Sequence, residues 1–425
     1  MRKTTCLLFI PVLFALSVYS QSRLLIPGAP ESQKFSSERL SRIDKLVKQY
    51  IDSGWIKGAD AFIARNGVVV YNKAFGMADA EQHVPMKTDA IFRIASQTKA
   101  ITSVGVMMLF EEGKFLLDDP ISKYIPSFAH PKVLDKFHEK DSTYTTVPAK
   151  REVTIRDLLT HTSGVDYAQI GSDKMKAIYA KAGIQAGFVA DKSLLADAIN
   201  KLGALPLAHQ PGERFTYGLN IDVLGYLIEK ISGKTLDQFL RERIFMPLGM
   251  NDTYFYLPQS KYSRLAQVYS TDKQNHLDKW NASTFPGVSA DYPKINGTYY
   301  SGGAGLSSTT RDYAIFLQMM LNNGEYNGHR LLARHTVEIM TMNQIGDINL
   351  DKNKFGLGFL LITKAGQATL GETEGSFSWG GFFGTTYWAD PTEHLVCLFF
   401  VQEWPFPHGE LTEKFRVLVY SALND

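Results

Sequence analysis

The sequence is poor in cysteine and has no excess of charge of one sign. Its 425 residues include two cysteines, Cys6 and Cys397, too few for a framework of disulfides. The 45 lysines and arginines nearly balance the 43 aspartates and glutamates, and removing Arg2 and Lys3 leaves 43 of each sign. A chain this close to neutrality has no global basic field, so we expect no nucleic-acid partner. The 44% apolar content instead predicts a globular protein with a large core.

Long apolar runs are also scarce, and the one at the N-terminus is short. The stretch 6–19 follows two basic residues, is interrupted by Pro11, and suits the core of a signal peptide. We therefore predict a signal peptide over residues 1–20, cleaved before Gln21, and an exported protein, periplasmic or secreted, with no membrane span after processing. A membrane anchor is the alternative interpretation of this run. Residues 21–35, which are rich in proline and serine, are predicted to form a linker.

Motifs of several common enzyme classes are missing. None of the ten histidines takes part in an H-E-x-x-H or other close metal-ligand pair, so we predict no metal. There is no G-x-S-x-G elbow of the kind found in α/β-hydrolases. Gly302–Gly305 lacks the lysine of a phosphate-binding loop and is predicted to form a tight turn. We expect neither a metal nor an organic cofactor.

Hydrophobic periodicity indicates the order of helices and strands. Apolar residues from Leu40 to Ile51 have helical spacing, and two β-prone runs, 61–64 and 68–71, are joined by Asn66-Gly67, a pair suited to a two-residue hairpin turn. The run 100–110 is apolar almost all round, as in a helix at the centre of a protein. Helices are also predicted at 154–160, 222–231, 310–321 and 411–423, and strands at 355–362, 383–389 and 394–402.

Strands near both ends of the chain, with helices between them, predict an α/β (α+β) protein. We expect one sheet assembled from the N- and C-terminal segments, with a helical portion inserted. The single domain is assigned to residues 36–425. Within it the sheet layer comes from about 36–95 and 300–425, and the mostly helical part from about 96–299.

The motif S-x-x-K occurs at Ser96–Lys99, where the central helix begins. Serine and lysine three residues apart share a helix face, so the amine can reach the hydroxyl. A serine becomes a nucleophile when a neighbouring base takes its proton, and the positive end of a helix stabilises negative charge on its oxygen. Taken alone, the motif also suits an ordinary helix start. A second copy, Ser270–Lys273, lies in a polar stretch rich in turn residues and is interpreted as accidental.

The surroundings of the first copy resemble a known superfamily, the serine β-lactamases and penicillin-binding proteins. Six blocks occur in the order of that family and span about 37–420: FRIASQTK at 92–99, EGKFLLDDP at 112–120, TIRDLLTHTSG at 154–164, PGERFTY at 211–217, GGAGLSSTTRD at 302–312 and SWGG at 378–381. The chain is most similar to the class C β-lactamase branch and its esterase relatives, the family VIII carboxylesterases. The resemblance implies a β-lactamase/transpeptidase-like fold, with an antiparallel sheet flanked by helices and an inserted helical subdomain.

The resemblance also implies roles for individual residues. Ser96 matches the acylated nucleophile and Lys99 its partner base, while Tyr217 matches the second-motif tyrosine, which shuttles protons. Gly380 and Gly381 allow close approach of an edge strand, and the backbone N–H of Phe382 is expected to join that of Ser96 in an oxyanion hole.

Two motifs depart from the lactamase pattern. Leu219 stands two residues after Tyr217, where lactamases have asparagine, and Asn220 comes one residue late. Trp379 replaces the lysine of Lys-Thr/Ser-Gly, so a substrate carboxylate loses a charged partner and gains an apolar surface with one N–H donor. Core packing is the alternative interpretation of Trp379. Both departures favour an ester over a β-lactam.

The leading hypothesis is thus an exported serine hydrolase that acts through an acyl-enzyme on small-molecule esters, a carboxylesterase. One alternative is a class C-type β-lactamase or a D-amino-acid peptidase acting on cell-wall fragments, with an amide substrate. Another is a non-catalytic binding protein on the same fold. His161 is interpreted as a loop-stabilising residue rather than a catalytic one. Aromatic residues between 256 and 300 either line an acyl pocket or cover the helical part.

Overall fold

The helices and strands are taken from a computed structural model that describes residues 24–185, 187–188, 191–274, 276–281, 285 and 287–425. The α-helices in these ranges are α1 Ser37–Asp52, α2 Thr98–Glu111, α3 Ile155–Leu159, α4 Asp173–Lys181, α5 Leu195–Gly203, α6 Asn220–Ser232, α7 Leu236–Leu240, α8 Met246–Leu248, α9 Thr310–Leu321, α10 Arg334–Met340, α11 Lys364–Leu370 and α12 Glu410–Ser421. The strands are β1 Ile26–Pro27, β2 Gly58–Arg65, β3 Val68–Asp79, β4 Val84–Pro85, β5 Phe92–Arg93, β6 Lys132–His138, β7 Thr143–Pro148, β8 Tyr269–Thr271, β9 Leu277–Lys279, β10 Ser307–Ser308, β11 Glu325–Tyr326, β12 His329–Arg330, β13 Lys354–Phe355, β14 Leu360–Leu361, β15 Phe377–Gly380, β16 Thr385–Asp390 and β17 Leu395–Phe400.

The main sheet joins the two ends of the chain. Its strand order is β1-β3-β2-β17-β16-β15-β14-β13, with β4 paired to β3. At the seam, β2 and β17 run antiparallel, and Phe62 pairs with Leu398. The prediction of one sheet built from N- and C-terminal segments is therefore confirmed.

The hairpin β2–β3 shows how the local sequence specifies this sheet. Asn66 and Gly67, between the two strands, have φ angles of +55° and +80°. Both angles lie in the left-handed region, which asparagine and glycine adopt at lower cost than other residues. The predicted Asn-Gly turn therefore connects the strands.

The centre of the sheet is buried on both faces, as β17 illustrates. Cys397 and Phe399 belong to a core cluster with residues of α1 and α12, whereas Leu398 and Phe400 pack in the cluster on the opposite face, with α2 and α9. Side chains of a strand alternate between faces, so a strand with apolar residues at every position needs cover on both sides. The thiol of Cys397 is buried there as a free cysteine, and burial raises its pKa.

The inserted part, predicted for about 96–299, is built around α2. Nearly the whole of this helix is buried, from Thr98 to Leu109, as its uniformly apolar sequence predicts. The insertion also contains a hairpin, β6–β7, which was not predicted from the sequence. Most residues of its two strands are exposed, and no continuous apolar run marks them. Among the described residues, no helix combines the length and apolar character that a membrane span requires.

Two sequence predictions need correction, and one lies outside the described residues. The predicted linker 21–35 is partly folded, because β1 pairs with β3 and Leu25 is buried in the core. The predicted strand 355–362 is divided into β13 and β14 by a turn in which Gly358 has a φ of +93°. The predicted signal peptide, 1–20, is not part of the described chain.

Candidate active site

The S-x-x-K serine lies on a tight turn that leads directly into α2. Residues Ala95–Gln97 form a 3-10 turn, and Ser96 within it is half-buried. Ala95 has a φ of +44°, a left-handed conformation that costs energy for a residue with a Cβ. The strained turn is fixed on one side by β5, which pairs with β10. Ser96 therefore projects from a backbone that its surroundings hold in place.

Lys99 lies one turn further along and points at the same space. Its Nζ is 3.3 Å from Ser96 Oγ and donates to the Gly303 carbonyl oxygen at 2.7 Å. The amine also lies over two aromatic rings, 4.6 Å from the centroid of Tyr217 and 5.4 Å from that of Tyr167. Lys99 is 3% exposed. The predicted contact between the amine and the hydroxyl is therefore present.

The glycine-rich segment 302–305 forms the tight turn that its composition predicts, and the turn faces α2. The Gly302 carbonyl accepts a hydrogen bond from Thr102 Oγ1 at 2.9 Å, one residue before the Gly303 carbonyl that holds Lys99. Asp222, on α6, accepts hydrogen bonds from the other side of the turn. We call Ser96, Lys99, Asp222 and Gly303 the nucleophile wall.

Tyr217 lies among aromatic rings at the opening of the site. Its ring is 5.6 Å from that of Tyr167, in a stacked arrangement, and 5.3 Å from that of Trp379. The indole Nε1–H of Trp379 donates to the Tyr217 oxygen in a long hydrogen bond of 3.4 Å. The position occupied by lysine in lactamases thus holds an indole that contacts the candidate proton shuttle.

His161 supports the segment that carries Tyr217. The imidazole is fully buried, and its Nδ1 accepts from Asn220 Nδ2 at 2.9 Å and from the Gly218 N–H at 3.4 Å. Burial, with a smaller effect of Lys99, lowers the pKa of His161 well below its usual value, so the ring is neutral. Asn220 also bonds to the Ser163 hydroxyl. These contacts are those of a loop-stabilising histidine, and they use the Asn220 side chain inside the protein.

The end of β15 forms one side of the cleft at Ser96. Trp379, Gly380, Gly381 and Phe382 line a cleft of about 790 Å³, open mouth included, together with Ser96 and Tyr217. A Cβ added to Gly381 would lie 2.5 Å from the Ile94 carbonyl oxygen and 2.2 Å from Thr385 Oγ1. Only glycine allows this approach, so Gly381 brings the strand end against the backbone that precedes Ser96.

One further cation lines the same cleft. Arg416, on α12, forms an ion pair with the buried Glu372 at 3.3 Å and a hydrogen bond with Thr386 Oγ1 at 3.4 Å. Burial raises the pKa of Glu372, and Arg416 opposes that shift. The charge of the guanidinium is thus largely balanced by a neighbouring carboxylate.

A second, more closed cavity of about 350 Å³ adjoins Ser96. Phe382 separates it from the first cleft, and its ring packs against those of Phe188 at 5.6 Å and Phe285 at 5.7 Å. Trp404 stacks on the outer face of Phe382 at 4.8 Å. We call Phe188, Phe285, Val288, Phe382 and Trp404 the aromatic wall.

The structure brings the residues predicted from the sequence together around Ser96. They are Lys99, Tyr217, Trp379, Gly380, Gly381 and Phe382. The second S-x-x-K copy differs, because Ser270 lies in β8 and a strand does not place residues three apart on one face. Of the aromatics between 256 and 300, Phe285 lines the Ser96 cavity, whereas Tyr256 and Tyr300 pack on each other elsewhere.

Sequence reasoning missed Tyr167, Asp222 and the carbonyl of Gly303. The sequence does contain an indication for Asp222. An aspartate in the otherwise apolar run 221–228 is costly to bury unless it has polar partners, which suggests a specific role. Tyr167 lies three residues after the third block, 154–164, but carries no motif of its own. Within the described ranges, no three His, Cys, Asp or Glu residues are grouped as a metal site would require.

The family model called Beta-lactamase matches residues 43–420, a span that contains both walls and the cleft. The fold and the site together define a serine hydrolase. The chain belongs to the Beta-lactamase family.

Individual relatives differ in the activity that their names state. The "Putative D-alanyl-D-alanine carboxypeptidase" of Escherichia coli K12 is 30% identical over 415 residues, 92% of this chain and 87% of the relative. Esterase EstB of Burkholderia gladioli is 27% identical over 394 residues, 90% of this chain and 95% of the esterase. The solved structure of EstCE1, "a hydrolase with promiscuous acyltransferase activity", has a TM-score of 0.78 and 26% identity, and the match covers 90% of this chain and 98% of EstCE1.

Proposed function

We propose that this protein is a carboxylesterase that is acylated on Ser96. Lys99 accepts the Ser96 proton as Oγ attacks the ester carbonyl, the bond to the alkoxy oxygen breaks, and the alcohol leaves with a proton. Water then attacks the acyl-enzyme, and the acid and free Ser96 are released. The 3.3 Å contact between Lys99 Nζ and Ser96 Oγ supports the first transfer.

The role of base requires an uncharged amine at Lys99, and the hydrogen bonds of the site are compatible with one. An uncharged amine keeps two N–H donors and one lone pair. One donor is directed at the Gly303 carbonyl at 2.7 Å, which leaves the lone pair available for the Ser96 proton. Tyr217, beside Lys99 and Trp379, is proposed to relay that proton to the leaving alcohol.

The backbone N–H groups of Ser96 and Phe382 are proposed as the oxyanion hole. Both residues line the same cleft, and Gly381 holds the strand end against Ile94. Donors fixed in this way stabilise the developing oxyanion without reorganisation during the reaction.

The observation that carries the preference for esters is Trp379. An indole contacts Tyr217 where a lysine would hold the carboxylate of a β-lactam. The Asn220 side chain is buried and hydrogen-bonded to His161 and Ser163, so it is not available to contact the amide of a β-lactam. The aromatic wall offers the acyl group an apolar cavity beside Ser96. The similarity to EstB, an esterase by name, agrees with this choice.

A comparison of two chromogenic substrates tests the proposal. We expect kcat/KM for p-nitrophenyl butyrate to exceed that for nitrocefin, measured on one preparation, because the site has apolar surface but little unbalanced positive charge. Faster turnover of the lactam would contradict the ester assignment. A fluorophosphonate probe should add its mass at Ser96, and its failure to do so would instead support a non-catalytic binding protein.

A D-amino-acid peptidase is the second candidate, favoured by the Escherichia coli relative and by Arg416 at the cleft. A terminal carboxylate could then contact the guanidinium, although Glu372 competes for it. Release of D-alanine from a D-alanyl-D-alanine peptide, faster than hydrolysis of the butyrate ester, would favour this candidate.

We also propose that the protein is exported and meets its small-molecule substrate outside the cytoplasm. The basis is the sequence of residues 1–20. N-terminal sequencing of the protein from the producing cell should begin at Gln21, and an intact Met1 would contradict cleavage.

A further inference from the structure

The nucleophile wall contains a buried carboxylate that the proposed reaction does not use. Asp222 lies in the first turn of α6 and is 1% exposed. Its Oδ1 accepts from Ser301 Oγ at 2.5 Å and from the Gly303 N–H at 3.2 Å. Its Oδ2 is buried without a hydrogen-bond partner among the described residues. An uncompensated carboxylate oxygen in the interior is costly, so the position calls for an explanation.

Gly303 connects this carboxylate to Lys99. Its N–H donates to Asp222, and its C=O accepts from Lys99 Nζ. A Cβ at this position would lie 2.2 Å from Asp222 Oδ2, so glycine is required for the contact. One residue of the turn is therefore held between a carboxylate and an amine.

Several titratable side chains face this link. His161, Tyr167, Tyr217 and Tyr299 interact electrostatically with Lys99 or Asp222. Burial lowers the pKa of His161, and burial raises the pKa of Tyr167 and Tyr299, with Asp222 adding to both tyrosine shifts, so these three side chains are neutral. Burial also raises the pKa of Asp222, whereas Lys99 favours its ionised form.

We propose that Asp222 is a positioning residue that acts through Gly303 on Lys99, orienting the amine toward Ser96 and, as a buried carboxylate close to it, contributing to the pH dependence of the reaction. The inference rests on the proposed role of Lys99 as the base. An anion near an amine stabilises the ammonium form, so replacing the carboxylate by an amide should move the acid limb of the reaction's pH profile to lower pH.

The pH profile of ester hydrolysis separates this role from a merely structural one. In Asp222→Asn, Oδ1 can still accept from Ser301 and Gly303, but the charge is lost. We expect the acid limb of kcat/KM for p-nitrophenyl butyrate to move down by about one pH unit and the plateau to fall about tenfold. Asp60→Asn is the matched control, since Asp60 is equally buried and bonds Thr310 in the sheet layer, and it should leave the limb in place.

If Asp222→Asn lowers the plateau of the kcat/KM profile but leaves its acid limb at the wild-type pH, the proposal is overturned. If that variant does not fold, Ser301→Ala provides the test, because it removes one hydrogen bond to Asp222 and leaves the Asp222 carboxylate in place. This variant should acylate several-fold more slowly with an unmoved limb, and a wild-type rate would equally overturn the proposal. Wild-type protein that is not labelled at Ser96 by a fluorophosphonate would instead refute the proposed function itself.

Discussion

The nucleophile wall and the aromatic wall face the same serine but are held together differently. In the nucleophile wall, Lys99, Gly303 and Asp222 are joined by directional hydrogen bonds of 2.7 and 3.2 Å between buried polar groups. In the aromatic wall, Phe188, Phe285 and Phe382 meet through ring contacts of 5.6 and 5.7 Å, and Phe285 and Phe382 are partly exposed. Directional bonds fix atoms for chemistry, whereas apolar contacts define a volume and tolerate changes of shape.

Loss of the nucleophile should have the largest effect. Ser96→Ala is expected to reduce ester hydrolysis by about 10⁴-fold or more, since no acyl-enzyme can form. Ser270→Ala, in the second S-x-x-K copy, is the matched control, because Ser270 lies in β8. Initial rates with p-nitrophenyl butyrate measure both variants. Equal losses in the two would mean that the nucleophile wall is not the site of reaction.

A methyl group at the end of β15 should have the next largest effect. Gly381→Ala places a Cβ 2.5 Å from the Ile94 carbonyl and must displace either the strand end or the nucleophile turn. Since a lost oxyanion donor costs about 2.7 to 4 kcal/mol of transition-state stabilisation, we expect kcat to fall about 10²- to 10³-fold.

The neighbouring glycine provides the control for that experiment. A Cβ on Gly380 comes no closer than 3.4 Å to another atom, the Thr385 carbonyl oxygen. Gly380→Ala should therefore stay within a few-fold of wild-type kcat. If both variants lose activity equally, the close approach at Gly381 is not what positions the oxyanion hole.

The two walls also differ in how far the sequence could predict them. Ser96 and Lys99 are three residues apart, so helical geometry alone brings them together. Trp379 and Phe382 reach the site through sheet pairing between distant segments, and the family resemblance was needed to place them. Asp222 and Gly303 are 81 residues apart, and their contact depends on how α6 packs against the 302–305 turn. No local pattern encodes such packing, and the same holds for Phe188 and Phe285.

Changes in the aromatic wall should alter selectivity more than rate. Phe285→Ala enlarges the closed cavity beside Ser96, so longer acyl chains gain apolar contact. We expect the ratio of kcat/KM for p-nitrophenyl octanoate to that for the acetate to rise about tenfold, as a few buried methylenes would give. Phe110→Ala, at the far end of α2 against Phe115, is the control. An unchanged ratio in Phe285→Ala would assign the acyl group to the open cleft instead.

The smallest expected effect concerns the support of the aromatic wall. Glu403 directly precedes Trp404 in the chain. The backbone N–H of Glu403 donates to the Phe383 carbonyl at 3.0 Å, and the Glu403 carboxylate accepts from Thr271 Oγ1 at 2.5 Å. Burial raises the pKa of Glu403 from 4.5 to about 7. Below pH 4.5 the folded and unfolded states both hold the proton. Between pH 4.5 and 7 the unfolded state releases it first, so this residue's contribution to the free energy of unfolding falls as pH rises.

Glu403→Gln removes that titration and should flatten the decline in stability by roughly 1 kcal/mol per pH unit between pH 5 and 7. Urea unfolding at several pH values measures this slope, with the exposed Glu374→Gln as the control. The comparison between variants cancels the titration of other buried acids, such as Asp60 and Asp312. An identical pH dependence in Glu403→Gln and wild type would show that the carboxylate behind Trp404 does not hold its proton. The hydrogen bond from Thr271 behind the aromatic wall would then be made to an ionised carboxylate.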